Sequence, residues 1–136
     1  VGRYQSKLDL LSQRGICTAS EDVLESHSYD LAVECSGNSG GFALARSLLR
    51  PRGTLVMKST YADELTFDAS EAVVDEISII GSRCGPFKPA LRLLAERQVE
   101  VEPLIHARYP LTDGLAACEY AKHHGVLKVL MEMCSE

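Results

Sequence analysis

Three short apolar runs, spaced too far apart for hairpins, limit what this chain can become. Leu31-Ala32-Val33-Glu34-Cys35 is the first, Leu55-Val56-Met57 the second and Ile77-Ser78-Ile79-Ile80 the third. Turn residues bound each of them. A continuous apolar run of this length suits a strand buried on both faces. Between the first two, residues 40–50 carry Phe42, Ala43, Leu44, Leu48 and Leu49 in a helical pattern, which Pro51-Arg52-Gly53 breaks. Strand, helix, strand, loop, strand at crossover spacing predicts a parallel α/β sheet.

The flanking segments are less regular. Residues 5–14 place Leu8, Leu10 and Leu11 among polar residues, predicting an amphipathic helix that Gly15 ends. Ile16-Cys17-Thr18-Ala19 reads as a short strand, and Ser20-Glu21-Asp22 as the cap of a helical turn. Leu65-Thr66-Phe67 is a candidate edge strand. A helix follows over 86–98, then an extended stretch over 104–111. Thr112 is the expected N-cap of a further helix ending at Gly125, and residues 127–131 form a last strand. Gly85-Pro86 is the candidate domain boundary.

Composition excludes several functions. The net charge of -5 and pI near 5.4 argue against a nucleic-acid groove. No apolar run is long enough for a membrane span. No leader is evident, and the reading is cytoplasmic. Five scattered cysteines, Cys17, Cys35, Cys84, Cys118 and Cys134, form neither a C-x-x-C pair nor a cluster with metal-ligand spacing. Each reads as a small buried hydrophobe in a reducing compartment. His27, His106, His123 and His124 read as surface residues. The adjacent pair cannot share a helix face. Asp68, Glu71, Asp75 and Glu76 read as a solvated acidic face.

Gly37-Asn38-Ser39-Gly40-Gly41 looks like a phosphate cradle, because it joins a strand to a helix. Its G-x-x-G-G spacing differs from the dinucleotide fingerprint G-x-G-x-x-G, and no P-loop lysine follows. A helix start capped by Asn38 or Ser39 accounts for it.

Tyr29-Asp30-Leu31-Ala32-Val33-Glu34-Cys35-Ser36-Gly37, Leu49-Arg50-Pro51-Arg52-Gly53-Thr54-Leu55-Val56, Ile79-Ile80-Gly81-Ser82-Arg83 and Gly125-Val126-Leu127-Lys128-Val129 follow one another in that order. Together they resemble the C-terminal half of the medium-chain dehydrogenase/reductase family, the zinc-type alcohol, sugar and threonine dehydrogenases. The resemblance implies an α/β fold. Residues 1–85 would be a partial Rossmann-like parallel sheet without its first strand and glycine fingerprint. Residues 86–136 would be a C-terminal α/β segment returning into the catalytic domain. Leu31 to Cys35 would be the fourth strand of the parent order 3-2-1-4-5-6.

The resemblance also implies a nicotinamide cofactor site. Gly2 and Arg3 would follow the second parent strand, where an acid binds the ribose of NAD or an arginine takes the 2′-phosphate of NADP. No acid stands there, which tilts the reading to NADP, with Lys7 one turn on. The alternative is a solvated arginine at a helix start. Backbone groups of Cys35, Ser36 and Gly37 would meet the cofactor. Lys58, Ser59 and Thr60 would end the next strand beside it, and Gly81, Ser82 and Arg83 the third. Lys128 would match a basic position that reaches the pyrophosphate. Arg83 and Lys128 are read as functional because each follows a strand taken as buried.

The family's zinc ligands belong to its N-terminal half, so no zinc is expected in this chain and no activity from the chain alone. The implied function is that of a truncated NAD(P)-dependent alcohol or sugar dehydrogenase. The alternative is a non-enzymatic oligomeric module derived from one. Without a first strand, the edge at Leu31 to Cys35 lies bare, and bare apolar edges recruit partners. A homo-oligomer is expected, through this edge or through Leu65–Phe67 or Ile77–Ile80.

Overall fold

The computed structural model of the chain describes residues 1–133. In chain order the elements are α1 (Gln5–Ser12), β1 (Tyr29–Glu34), α2 (Ser39–Leu48), β2 (Leu49–Met57), α3 (Ala69–Val74), β3 (Ser78–Gly81), α4 (Phe87–Ala95), β4 (Ile105–Pro110), α5 (Gly114–Ala121) and β5 (Lys128–Glu132). Short 3₁₀ turns lie at Glu21–Val23, Glu102–Leu104 and Leu111–Asp113. No described helix is long and apolar enough to cross a membrane.

The chain forms two compact units. One is Asp22–Gly85, and the other joins Val1–Glu21 to the chain from Pro86 onward. In the first, β1, β2 and β3 form a parallel sheet in that order. This is the parallel α/β architecture that the crossover spacing and the resemblance imply. Phe42, Ala45 and Leu49 come from α2 and the start of β2, and Leu55 comes from β2. These four make the core, with Ala32, Met57, Tyr61, Leu65 and Ile77 packed around it. Asn38 caps α2, its side chain accepting from the Gly41 amide at 2.9 Å. Asp68 caps α3 by accepting from the Ser70 amide at 2.8 Å.

Pro51-Arg52-Gly53 does not end the α2 region but lies within β2 as a bulge. The register with β1 jumps from Tyr29↔Leu49 to Leu31↔Thr54, and Arg52 takes a φ of 67°. β1 is not buried on both faces either. Leu31 and Val33 are 56% and 53% exposed, while Ala32 and Glu34, pointing to the opposite face, are half-buried and buried, so one face of β1 is uncovered. Every residue of β3, the other edge, is exposed. Leu65-Thr66-Phe67 is not a strand: Leu65 packs on the core, and the Phe67 ring lies 5.1 Å from that of Phe42.

In the second unit, β4 and β5 pair in parallel, with α5 burying Ala117. Residues 16–19 form no strand. Thr112 lies inside a 3₁₀ turn, and Asp113 takes the N-cap position of α5 without a side-chain bond. Three helices end alike. Ile16, Ile77 and Gln98 amides return to the carbonyls of Leu11, Ala72 and Leu93, around the left-handed residues Gly15, Glu76 and Arg97.

Candidate nucleotide-binding sheet end

β1, β2 and β3 run parallel and in register, so their carboxyl ends meet on one edge. Glu34 pairs with Met57, and Met57 with Gly81. The ladder continues past the strands. The Lys58 amide donates to the Glu34 carbonyl and the Ser82 amide to the Met57 carbonyl, each at 2.9 Å. The Lys58 ammonium donates to the Arg83 carbonyl. The structure thus gathers eight of the sequence-predicted residues on this edge: Cys35, Ser36, Gly37, Lys58, Ser59, Gly81, Ser82 and Arg83. Gly2, Arg3, Lys7 and Lys128 belong to the other unit.

Glu34 organises the edge, and it was not among the residues the sequence singled out. Its side chain is 2% exposed. One carboxylate oxygen accepts from the Ser36 amide and hydroxyl, both at 2.5 Å, and from the Gly37 amide at 3.0 Å. The other accepts from the Tyr61 hydroxyl at 2.6 Å. A buried charge is tolerated when its lone pairs are satisfied in this way. Burial works to raise the Glu34 pKa, but the bonds from Ser36, Tyr61 and the two amides outweigh it and hold the carboxyl below its ordinary value. Burial, then the hydrogen bond and charge of Glu34, push the Tyr61 phenol up to about 12. A carboxylate inside an apolar strand is the signal that could have revealed this.

The two glycines answer to the same packing. Gly37 has a φ of 69°, and a Cβ there would come within 2.9 Å of the Thr60 carbonyl. A Cβ on Gly41 would lie 1.9 Å from the Ser36 hydroxyl and 3.2 Å from Glu34. One glycine seats the 59–60 loop, and the other brings the start of α2 onto the Glu34 turn.

This network changes what the turn can offer a ligand. The Ser36 and Gly37 amides, expected to meet a cofactor, are already bonded to Glu34. What remains on the turn is acceptor-rich, the carbonyls of residues 35–37, with the Ser59 side chain close to Gly37. Among the described residues the Arg83 guanidinium has neither ion pair nor hydrogen bond, and the same holds for Arg3 and Lys128. Ribose hydroxyls donate and phosphates accept, so carbonyls past the end of β1 and an unpaired guanidinium past the end of β3 are the two kinds of group that a nucleotide takes.

Other expectations need correction. Arg83 follows an exposed strand, and Lys128 opens β5 as an exposed residue, so neither charge is marked out by a buried strand before it. Lys7 sits over the Tyr4 ring at 5.1 Å, and that ring meets His124 edge-on at 4.4 Å. Cys17, Cys35, Cys84 and Cys118 are exposed free thiols and not buried hydrophobes. Cys35 and Cys84 lie beyond strand ends, and Cys118 follows the buried Ala117 on α5. Cys134 lies outside the described residues. The acidic cluster is not simply solvated. Asp75 and Glu71 flank the buried Arg46 guanidinium at 2.6 and 3.6 Å. Among the described residues no group of three or more His, Cys, Asp or Glu is placed to hold a metal ion.

No profile of a known family matches the chain. A sorbitol dehydrogenase of Halalkalibacterium halodurans is 28% identical to it over 114 residues, which is 81% of this chain and 33% of that protein. Among solved structures, L-idonate 5-dehydrogenase of Escherichia coli is 28% identical with a TM-score of 0.70, covering 78% of this chain and 32% of the other. The chain belongs to the medium-chain dehydrogenase/reductase family. It spans about a third of the length of the curated relatives it matches. A zinc-binding dehydrogenase of Sinorhizobium meliloti, solved bound to NADP, shares the fold at 22% identity, with a TM-score of 0.67 over 77% of this chain and 32% of its own. As a medium-chain dehydrogenase/reductase segment, the chain matches the C-terminal part of such structures.

Proposed function

We propose that this chain is the C-terminal part of an NAD(P)-dependent alcohol or sugar dehydrogenase, and that its sheet end forms one side of the nucleotide site. Residues 1–85 descend in this reading from the nucleotide-binding domain, and residues 86–136 from the return segment into the catalytic domain. The Glu34-held turn at the carboxyl ends of parallel strands carries the proposal, because that edge is where open α/β sheets take ligands. A bound nicotinamide would supply the hydride chemistry. The carbonyls of residues 35–37 accept from ribose hydroxyls, and Arg83 neutralises phosphate. Glu34 holds the turn in shape before any ligand arrives. The NADP-bound relative supports a nicotinamide nucleotide. The preference for NADP rests on Arg3 and on the lack of an acid beside it. The chain alone is inactive, since the family's zinc ligands lie in the other half. Free thiols at four cysteines suit a cytoplasmic setting.

Calorimetric titration with NADPH and with NADH tests this. Saturable binding of either is expected. Arg83→Ala should weaken both nucleotides by about tenfold or more, the loss of one charge-assisted bond, while Arg3→Ala weakens NADPH alone. If neither nucleotide saturates the chain, the nucleotide reading fails. Turnover of an alcohol by this chain alone would sink the claim of inactivity.

A second reading, an oligomeric module descended from such an enzyme, is favoured by one observation: the two sheet edges expose Leu31, Val33, Ile79 and Ile80. Association through these edges should be abolished by Leu31→Lys or Ile80→Lys, read by sedimentation velocity.

A further inference from the structure

We infer that His106 is a proton-sensitive clasp on the entry to β5. The β4–β5 ladder slips at this residue. Ile105 stands opposite Lys128 and Ala107 opposite Val129, so β4 advances two residues where β5 advances one. His106 is the extra residue of this bulge, and such a residue loses its place in the ladder. Its ring supplies an acceptor in place of the missing backbone pairing. The Leu127 amide, one residue before β5, donates to His106 Nδ1 at 3.2 Å. That bond ties down the end of a turn in which Gly125 has a φ of 89° and the Val126 amide returns to the His123 carbonyl.

An imidazole nitrogen accepts only while its lone pair is free. With Nδ1 accepting from an amide, the neutral ring carries its proton on Nε2. Protonation adds an N–H at Nδ1 that meets the Leu127 N–H, donor against donor. Histidine side chains change charge between about pH 5 and 8, so the clasp is closed at the alkaline end of that range and open at the acid end. His106 is exposed, and protons reach it without unfolding. Arg108, two residues on, is held by Glu102 at 3.1 Å and Glu132 at 3.5 Å, and Lys128 directly follows Leu127. Among the described residues no carboxylate forms an ion pair with His106 that would hold its charged form. α5 brings Glu119, paired with Lys122, and Tyr120, which lies against Tyr109 and His123. His124 lies against Tyr4. Acid pH therefore releases the turn that leads into β5, and Lys128 with it. The Asp22–Gly85 sheet takes no part, so the clasp stands whichever way the nucleotide reading is decided.

Amide hydrogen exchange of the full chain by NMR, corrected for the intrinsic pH dependence of exchange, tests this. Protection of the Leu127 amide should fall about fivefold between about pH 8 and pH 5, the loss of one ordinary hydrogen bond, while that of Leu55 in β2 stays level. Nitrogen shifts of the ring should show the neutral form protonated at Nε2. His106→Asn keeps an acceptor oxygen at the δ position and should hold Leu127 equally at both pH values. His106→Leu should leave Leu127 weakly protected at both. Circular dichroism should report folded protein for each variant, since the position is exposed. Leu127 protection that is flat with pH in the wild-type chain overturns the proposal. So does a neutral ring protonated at Nδ1, or a His106→Leu variant that keeps full protection at pH 8. An Asn variant with the wild-type pH dependence also overturns it, because the titrating group would then be His123 or His124.

Discussion

The two units have similar ingredients and different interiors. Asp22–Gly85 has three parallel strands, a four-residue core and a carboxylate satisfied by four donors. The unit containing β4 and β5 has two parallel strands, and its buried hydrophobic side chains among the described residues are Leu8 and Ala117. Parallel strands gain stability when both faces are covered. In the first unit α2 covers one face of β2, while in the second β4 and β5 alternate between half-buried and exposed or stay partly open. Each unit has a helix adjacent in sequence packed on its strands, but α2 buries Phe42, Ala45, Arg46 and Leu48 while α5 buries Ala117 alone, so one helix brings the large side chains a core needs and the other does not.

The largest test of this contrast is a matched truncation. Leu55→Ala removes a fully buried side chain and should cost about 3–4 kcal/mol. Leu130→Ala, at a half-buried position in β5, should cost about 1 kcal/mol. Chemical denaturation of the two variants decides the matter, and equal losses would break the contrast. Next comes Gly41→Ala. Its Cβ would displace the Ser36 hydroxyl from Glu34, for a loss of about 2–3 kcal/mol, with hydrogen exchange rising first at the amides of residues 36 and 37.

Glu34→Gln should follow, at about 2 kcal/mol, because the Ser36 and Tyr61 hydroxyls lose an ionised acceptor. It should also lower the Tyr61 pKa from about 12, leaving only the part of the rise due to burial, as ultraviolet titration would show. The pH dependence follows from the same pair. Glu34 is held below its ordinary 4.5, so its contribution is complete above that value and fades as pH falls through the lowered pKa. Tyr61 is raised, so its contribution is complete below 10 and fades as pH climbs toward about 12. Stability measured across pH should lose both limbs in Glu34→Gln. The smallest effect is Asn38→Ala, about 1 kcal/mol from the α2 cap, seen as a modest fall in melting temperature.

The sheet was legible because its crossover spacing and apolar runs admit few arrangements, and the α2 cap was legible to within two residues, Asn38 or Ser39, of which Asn38 takes it. Pro51-Arg52-Gly53 misleads because a bulge and a helix stop use the same residues; only the pairing partner, Tyr29 or Leu31, tells them apart. Leu31 and Val33 look like core residues because sequence records their chemistry but not whether a neighbouring strand or helix is present. Glu34 was hidden for a related reason: its donors include Tyr61, distant in sequence. Arg46 was hidden the same way, since its partner Asp75 lies 29 residues on. The sequence-predicted site residues of unit Asp22–Gly85 fall on one edge because parallel strands in register bring their ends together, which is a property of topology and not of any one motif.

Gly37 and Gly41 lead to a point about selection. Each excludes a side chain because of neighbours within this chain: the Thr60 carbonyl for one, the Ser36 hydroxyl for the other. Folding alone would thus preserve both glycines in a descendant that had given up nucleotides altogether. In such lineages the string from Glu34 to Gly41 would persist as a fossil of architecture, and its survival would carry no information about whether the ancestral trade in hydride continues.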